Sequence, residues 1–235
     1  MPGPITATMT AIDPHVVNFQ GKEFFFYGKH GQCVNMVSSS NFFLNVKLYD
    51  TGAHATIITE AAFVIGNDEV GLTKFHLKSV DTTLDYIIVQ KYEDGHFRTI
   101  ACDTEVEFDS GLLDVKGKPV MGKMKVYHDQ AIINTGNFIV QSIRCTDPDH
   151  NLIGPPHLDL YYDIPENGVL TQGVWPHGIL GQSINPEMTQ DYEGEESDYQ
   201  VDHLYSHEFK FDRFGQVKLE NKRWFVGASK KSITV

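Results

Sequence analysis

Residues 42–49, Phe-Phe-Leu-Asn-Val-Lys-Leu-Tyr, put Phe42, Leu44, Val46 and Leu48 on one side of an extended chain. Phe43, Asn45, Lys47 and Tyr49 fall on the other. A period of two with one wholly apolar face suits a half-buried β-strand and has no use in a helix. Similar strands are suggested at 24–27, 56–65, 73–77, 84–92, 97–100, 104–108, 124–127, 131–134, 138–144, 157–163, 208–211, 216–219 and 223–226. Between them stand Asp50-Thr-Gly52, Gly66-Asn-Asp68, Glu93-Asp-Gly95, Asp109-Ser-Gly111, Lys116-Gly-Lys118, Thr135-Gly-Asn137 and Glu166-Asn-Gly168, the residues that supply the positive φ angles of tight hairpins. A parallel α/β sheet needs crossover helices of a dozen or so residues, and no such helical period is visible. The pattern predicts an all-β protein, an antiparallel multi-stranded sandwich or meander.

The chain has 235 residues, 41% of them apolar, enough for one sizeable core, so residues 1–235 are read as a single β-rich domain. The acidic stretch 191–198 is the main break in composition. It predicts an exposed acidic loop over 191–207, followed by a final hairpin and tail at 208–235, too short for a core of its own.

Net charge is −12, from 31 acidic and 19 basic residues, which disfavours nucleic acid as a partner. The short basic groups, Lys116, Lys118, Lys123 and Lys125, then Lys222-Arg223 and Lys230-Lys231, read as charged strand edges and tail. No run of about eighteen apolar residues occurs, so no membrane-spanning helix is expected. The first residues lack a basic segment followed by an apolar one, which predicts cytosolic synthesis or a leader already removed. Three cysteines, Cys33, Cys102 and Cys145, are too few and odd in number for a disulfide framework; buried thiols are expected, with room for one bridge.

Two segments carry a family resemblance. Asp13-Pro-His-Val-Val-Asn-Phe19-Gln-Gly21, followed by Phe24-Phe-Phe-Tyr-Gly28, Cys33 and Ser38-Ser-Ser-Asn41, resembles the opening of von Willebrand type D domains, and more closely that of the plant root-cap and late-embryogenesis-like family. His157-Leu-Asp-Leu-Tyr-Tyr-Asp163 and His177-Gly-Ile-Leu-Gly-Gln182, with Pro186 beyond, are similar to later elements of that family. The C-terminal domain of inter-alpha-trypsin inhibitor heavy chains shares the second ending. The resemblance spans residues 12–190. It implies a von Willebrand type D-like β fold, a mostly extracellular setting among matrix and wall material, and no established catalysis. The dense cysteines of true type D domains are missing, which argues against covalent multimerisation.

These segments mark Asp13, His15, His157, Asp159, His177 and Gln182 as candidate binding residues. Asp13-Pro14-His15 equally suits a plain turn, with Asp13 capping and Pro14 fixing φ. In type D domains the loop after the equivalent glycines can hold calcium, so the resemblance implies Asn185, Glu187 and Asp191 as candidate Ca2+ ligands; oxygen donors on a loop suit that ion. His203 and His207 have the i, i+4 spacing of helical zinc sites, but a strand over 201–211 would set them about 13 Å apart, too far for one metal.

No Gly-x-Ser-x-Gly elbow, phosphate loop or nucleophile–base–orienter set stands out. The expectation is a non-enzymatic structural or interaction protein that assembles with itself or with matrix, wall or particle components. The alternatives are a carbohydrate- or small-molecule-binding protein, calcium-dependent or not, with Tyr161-Tyr162, Trp175 and the tyrosines at 192, 199 and 205 as a stacking surface, and an unrecognised enzyme on a β scaffold.

Overall fold

The computed structural model describes residues 5–10, 15–39, 41–52, 56–67, 71–79, 84–114, 116–146, 155–165, 176–184, 199–207 and 224–226. In chain order these form β1 (Ile5–Thr10), β2 (His15–Val17), β3 (Glu23–Phe25), β4 (Cys33–Ser39), β5 (Phe42–Asp50), β6 (Thr56–Asn67), β7 (Gly71–Lys78) and β8 (Ile88–Glu93). There follow β9 (His96–Thr99), β10 (Thr104–Asp114), β11 (Pro119–Val126), β12 (Gln130–Asn134), β13 (Ile139–Cys145) and β14 (His157–Ile164). A single helical turn, α1 (Gly178–Gly181), runs into a 3-10 turn (Gln182–Ile184), and β15 (Trp224–Val226) comes last.

Strands β4 to β9 make a six-stranded meander. Its last hairpin has Asp94 and Gly95 at φ 50° and 86°, between the pairs Glu93↔His96 and Tyr92↔Phe97. Two successive positive φ angles match the right-handed twist of the flanking strands, the reason Asp-Gly closes hairpins of this kind. The second sheet has nine strands in the order β15-β10-β11-β12-β13-β14-β1-β2-β3. All its pairs are antiparallel except β10 with β15. The all-β antiparallel expectation therefore holds.

The sheets share one apolar core. Leu158, Leu160, Tyr162 and Ile164 of β14 and Met124 and Val126 of β11 meet Leu44, Val46, Phe63, Phe75 and Leu77 of the meander. Two aromatic pairs bridge the layers: Phe42 stacks on Phe138 at 5.0 Å between centroids, and Phe75 meets the ring of Phe108 at 5.2 Å and 64°. Each such pair adds about 1 kcal/mol beyond the area it buries.

A buried polar corner fixes how the sheets meet. Asn41 Nδ2 donates to the Ser110 carbonyl at 2.8 Å, its own carbonyl accepts from Gly66 N at 2.9 Å, and its Oδ1 accepts from Asn137 Nδ2 at 3.4 Å. Gly111 sits against Gly66 there, inside the bulge that shifts β10 between Asp109 and Leu112. An extra residue re-aims a strand at such a bulge, here bringing β10 to the meander's end.

Three strands escape the alternation pattern: β1, β2 and β4. Polar Asn35, Ser38 and Ser39 hide β4, which is buried on both faces and carries its own bulge between Asn35 and Val37. The outward face of β5 also differs from expectation. Phe43 and Asn45 are buried, because residues 199–207 lie across them and make a partial third layer. The stretch 201–207, expected as a strand, is instead a turn closed by Ser206 N donating to the His203 carbonyl at 3.0 Å. β15 pairs in parallel with β10, from Leu112↔Trp224 to Asp114↔Val226. The expected strands at 208–219, the acidic run 191–198 and the tail 227–235 lie outside the described residues. Among the described residues no helix is long and apolar enough to cross a membrane.

Gly122 faces Phe108 across the β10–β11 pair. A methyl added there would overlap the far edge of that ring and lie 3.0 Å from the Asn134 carbonyl. Gly122→Ala should lower unfolding free energy by about 1–3 kcal/mol, the usual cost of overpacking, seen as a lower urea midpoint at unchanged slope.

Candidate functional site

The His177–Gln182 segment is used to close the fold. His177 and Ser38 exchange two backbone hydrogen bonds of 2.9 Å, so the segment covers the edge of β4 that faces away from β5. Gly178 then turns in the left-handed region, φ 95°, where a methyl would overlap Asn35 Oδ1 and lie 2.6 Å from the Met36 carbonyl. Only glycine meets both demands. Gln182 Oε1 accepts from the Tyr199 hydroxyl at 2.9 Å. The neighbouring Ser183 Oγ accepts from Phe19 N at 3.0 Å and donates to the Leu180 carbonyl at 2.6 Å. Farther along the same edge, Val201 N donates to the Cys33 carbonyl at 3.0 Å.

The other candidates separate. His15 opens β2, opposite Thr10 in β1 and Phe25 in β3. Asp13, Asn185, Glu187 and Asp191 lie outside the described residues. His157 and Asp159 stand two apart on the outward face of β14, and β13 brings Cys145 directly opposite His157. Cys145 Sγ donates to Asp159 Oδ2 at 3.2 Å. Burial, then the Asp159 charge, pushes the Cys145 thiol up to about 12, so it stays protonated near neutral pH. All three cysteines are free; Cys102 is exposed and the other two half-buried. His203 is engaged in its own turn, its Nδ1 accepting from Tyr205 N at 3.2 Å, and the ring of His207 packs edge-on against Phe43.

A second cluster, absent from the candidate residues, lies under residues 203–207 on the outward face of the meander. Glu60 Oε1 accepts from Lys47 Nζ at 2.8 Å, and its Oε2 lies 2.7 Å from His76 Nε2. The other ring nitrogen, Nδ1, lies 2.7 Å from the Tyr205 hydroxyl. The hydrogen bond to His76 and the Lys47 ammonium hold the Glu60 carboxyl at about 2 against the opposing effect of burial, so Glu60 is ionised. A carboxylate only accepts, so His76 Nε2 is the donor to Glu60. Burial, then the Glu60 charge, raises Tyr205 to about 12. The row has the form of a nucleophile–base–orienter triad, but its phenol keeps its proton near neutral pH and serves as a tether. Asn45 Nδ2 completes the attachment, donating to the carbonyls of Leu204 and Ser206 at 2.9 and 2.7 Å.

The sequence signal for this cluster is slight: Glu60 is the one charged residue of β6, but His76 shares β7 with Thr73, Lys74 and Lys78. The lysines suspected of forming a basic patch are neutralised across the strand pair, Lys123 by Glu105 at 2.8 Å and Glu107 at 3.2 Å, Lys125 by Glu105 at 3.3 Å.

Compared with known proteins, the chain matches no family model and no curated protein.

Because Glu60 is ionised far below the ordinary carboxylate value of 4.5, its contribution to stability is present above about pH 4.5 and is lost as pH falls through about 2. Glu60→Gln should cost on the order of 2 kcal/mol at neutral pH, discounted for the part of the side chain that meets solvent. The gap to the parent should close as pH drops toward about 2, as read from urea unfolding over that range.

Proposed function

We propose that this chain is a non-enzymatic interaction module that assembles with itself and, through such assembly, with matrix, wall or particle components. The observation that carries this reading is an exposed aromatic pair beside β3. Phe25 and Tyr27 are 54% and 47% exposed, with rings 6.4 Å apart and nearly parallel. Exposed aromatics grouped in this way mark an interaction surface.

Two copies related by a two-fold axis at this patch set the Phe25 and Tyr27 rings of one against those of the other. Aromatic ring pairs of this kind contribute roughly 0.5–1.5 kcal/mol each beyond the area they bury. The isologous geometry is the ordinary one for homodimers. The resemblance of residues 12–190 to the root-cap and von Willebrand type D-like families, with their matrix association, supports the same reading.

So small a patch gives a weak dimer, on the scale of transient interfaces. The charge of −12 on each copy opposes it, so added salt strengthens it. Light scattering after size exclusion should show mass rising with concentration and ionic strength, and Phe25→Lys should abolish the rise. A parent chain that stays monomeric at about 1 mM, where even a weak interface would show, overturns the proposal.

A second reading, carbohydrate binding, is favoured by the aromatic row beside the Glu60 cluster. Phe97 stacks on Tyr205 at 5.0 Å and meets the exposed Tyr92 at 5.1 Å, with Lys74 Nζ 5.5 Å from the Tyr92 ring centre. Flat aromatic faces beside hydrogen-bonding groups suit sugar rings. Titration with oligosaccharides should then quench tyrosine fluorescence in the parent and leave Tyr92→Ala unchanged; equal responses in both remove this reading.

A further inference from the structure

We propose that Cys145, His157 and Asp159 form a zinc site on the outward face of the nine-stranded sheet. One thiol, one imidazole and one carboxylate offer a sulfur, a nitrogen and an oxygen donor, all within 4.8 Å of one another. Donors around a tetrahedral ion at bond lengths of about 2.0–2.3 Å stand roughly 3–4 Å apart, so modest side-chain rotation closes this set on a metal.

The backbone supplies the placement. Cys145 and His157 are directly paired residues of neighbouring antiparallel strands, and Asp159 follows two positions on, on the same face. Ligands on two hydrogen-bonded strands are held more firmly than ligands on a loop. His157 is buried, while Cys145 and Asp159 are half-buried, which leaves the set open toward solvent on one side.

The donor chemistry selects the ion. Calcium and magnesium take oxygen ligands, whereas a mixed sulfur, nitrogen and oxygen set suits zinc. A thiolate and a carboxylate together carry two negative charges, which balance Zn2+ at a partly desolvated place. On binding, the ion replaces the proton that Cys145 Sγ shares with Asp159 Oδ2, and that proton passes to solvent. Three protein ligands leave a fourth position for water or an external ligand.

The test uses the full chain, stripped by chelator and then equilibrated with Zn2+ or, as a spectroscopic probe, Co2+. Expected results are one zinc retained per chain by elemental analysis after desalting, and a near-ultraviolet thiolate-to-cobalt band. Cys145→Ser should abolish that band, Asp159→Asn should weaken zinc affinity at least tenfold, and Cys33→Ser and Cys102→Ser should leave both unchanged. Circular dichroism of each variant checks folding. A measurement on the parent alone guards against a misfolded variant: binding of Zn2+ at neutral pH should release about one proton per ion, the thiol proton of Cys145, as read by a pH indicator in weak buffer. Sub-stoichiometric zinc, a cobalt band that survives Cys145→Ser, or binding without proton release would each overturn the site. None of these readouts depends on whether the chain self-associates.

Discussion

Strand β4 is the element on which the rest of the structure depends, because it is buried on both faces and must still satisfy two rows of backbone groups. One row is met by β5. The other is met from far along the sequence, by His177 at Ser38 and by Val201 at Cys33. Each of those contacts brings more with it. His177 delivers the helical turn whose residues reach Phe19 and Tyr199, and Val201 leads into the turn that covers the outward face of β5. The requirement to bond a hidden edge thus draws the N-terminal loop, the glycine-rich turn and the third layer to one place.

The ionisable groups follow the same economy. Glu60 is kept charged between Lys47 and His76, while the Tyr205 phenol and the Cys145 thiol keep their protons near neutral pH. A buried acceptor without a donor would cost about 1–3 kcal/mol, and pairing each carboxylate with a donor avoids that cost. Groups that would read as acid–base machinery in a list of residues therefore act as fasteners between segments.

The strands with clean alternation, such as β11, β12 and β14, were legible from sequence because one face of each meets the core, and β6, buried on both faces, was legible from its apolar run at 61–65. Strand β4 was not, since burial on both faces removes the period and its Asn and Ser residues imitate a loop. The outward face of β5 looked solvated because Asn45 and Lys47 are polar; the cover that buries Asn45 comes from a segment without any pattern of its own. Among candidate residues, His157 and Asp159 were singled out, but Cys145 joins them only through the β13–β14 register, which no local pattern encodes. His177 and Gln182, singled out as binding residues, flank Gly178, whose close fit against Asn35 and Met36 no local pattern encodes.

The distance along the chain between β4 and its cover has a kinetic meaning. Asn45 waits 159 residues for the Leu204 carbonyl that it binds. At ribosomal rates of about 5–20 residues per second, the β4–β5 hairpin emerges roughly 8–30 s before the segment that seals it. Throughout that interval an apolar, unpaired strand edge is open to neighbouring nascent chains. Cells that make this protein in quantity should therefore need a holding chaperone during its synthesis more than after its release.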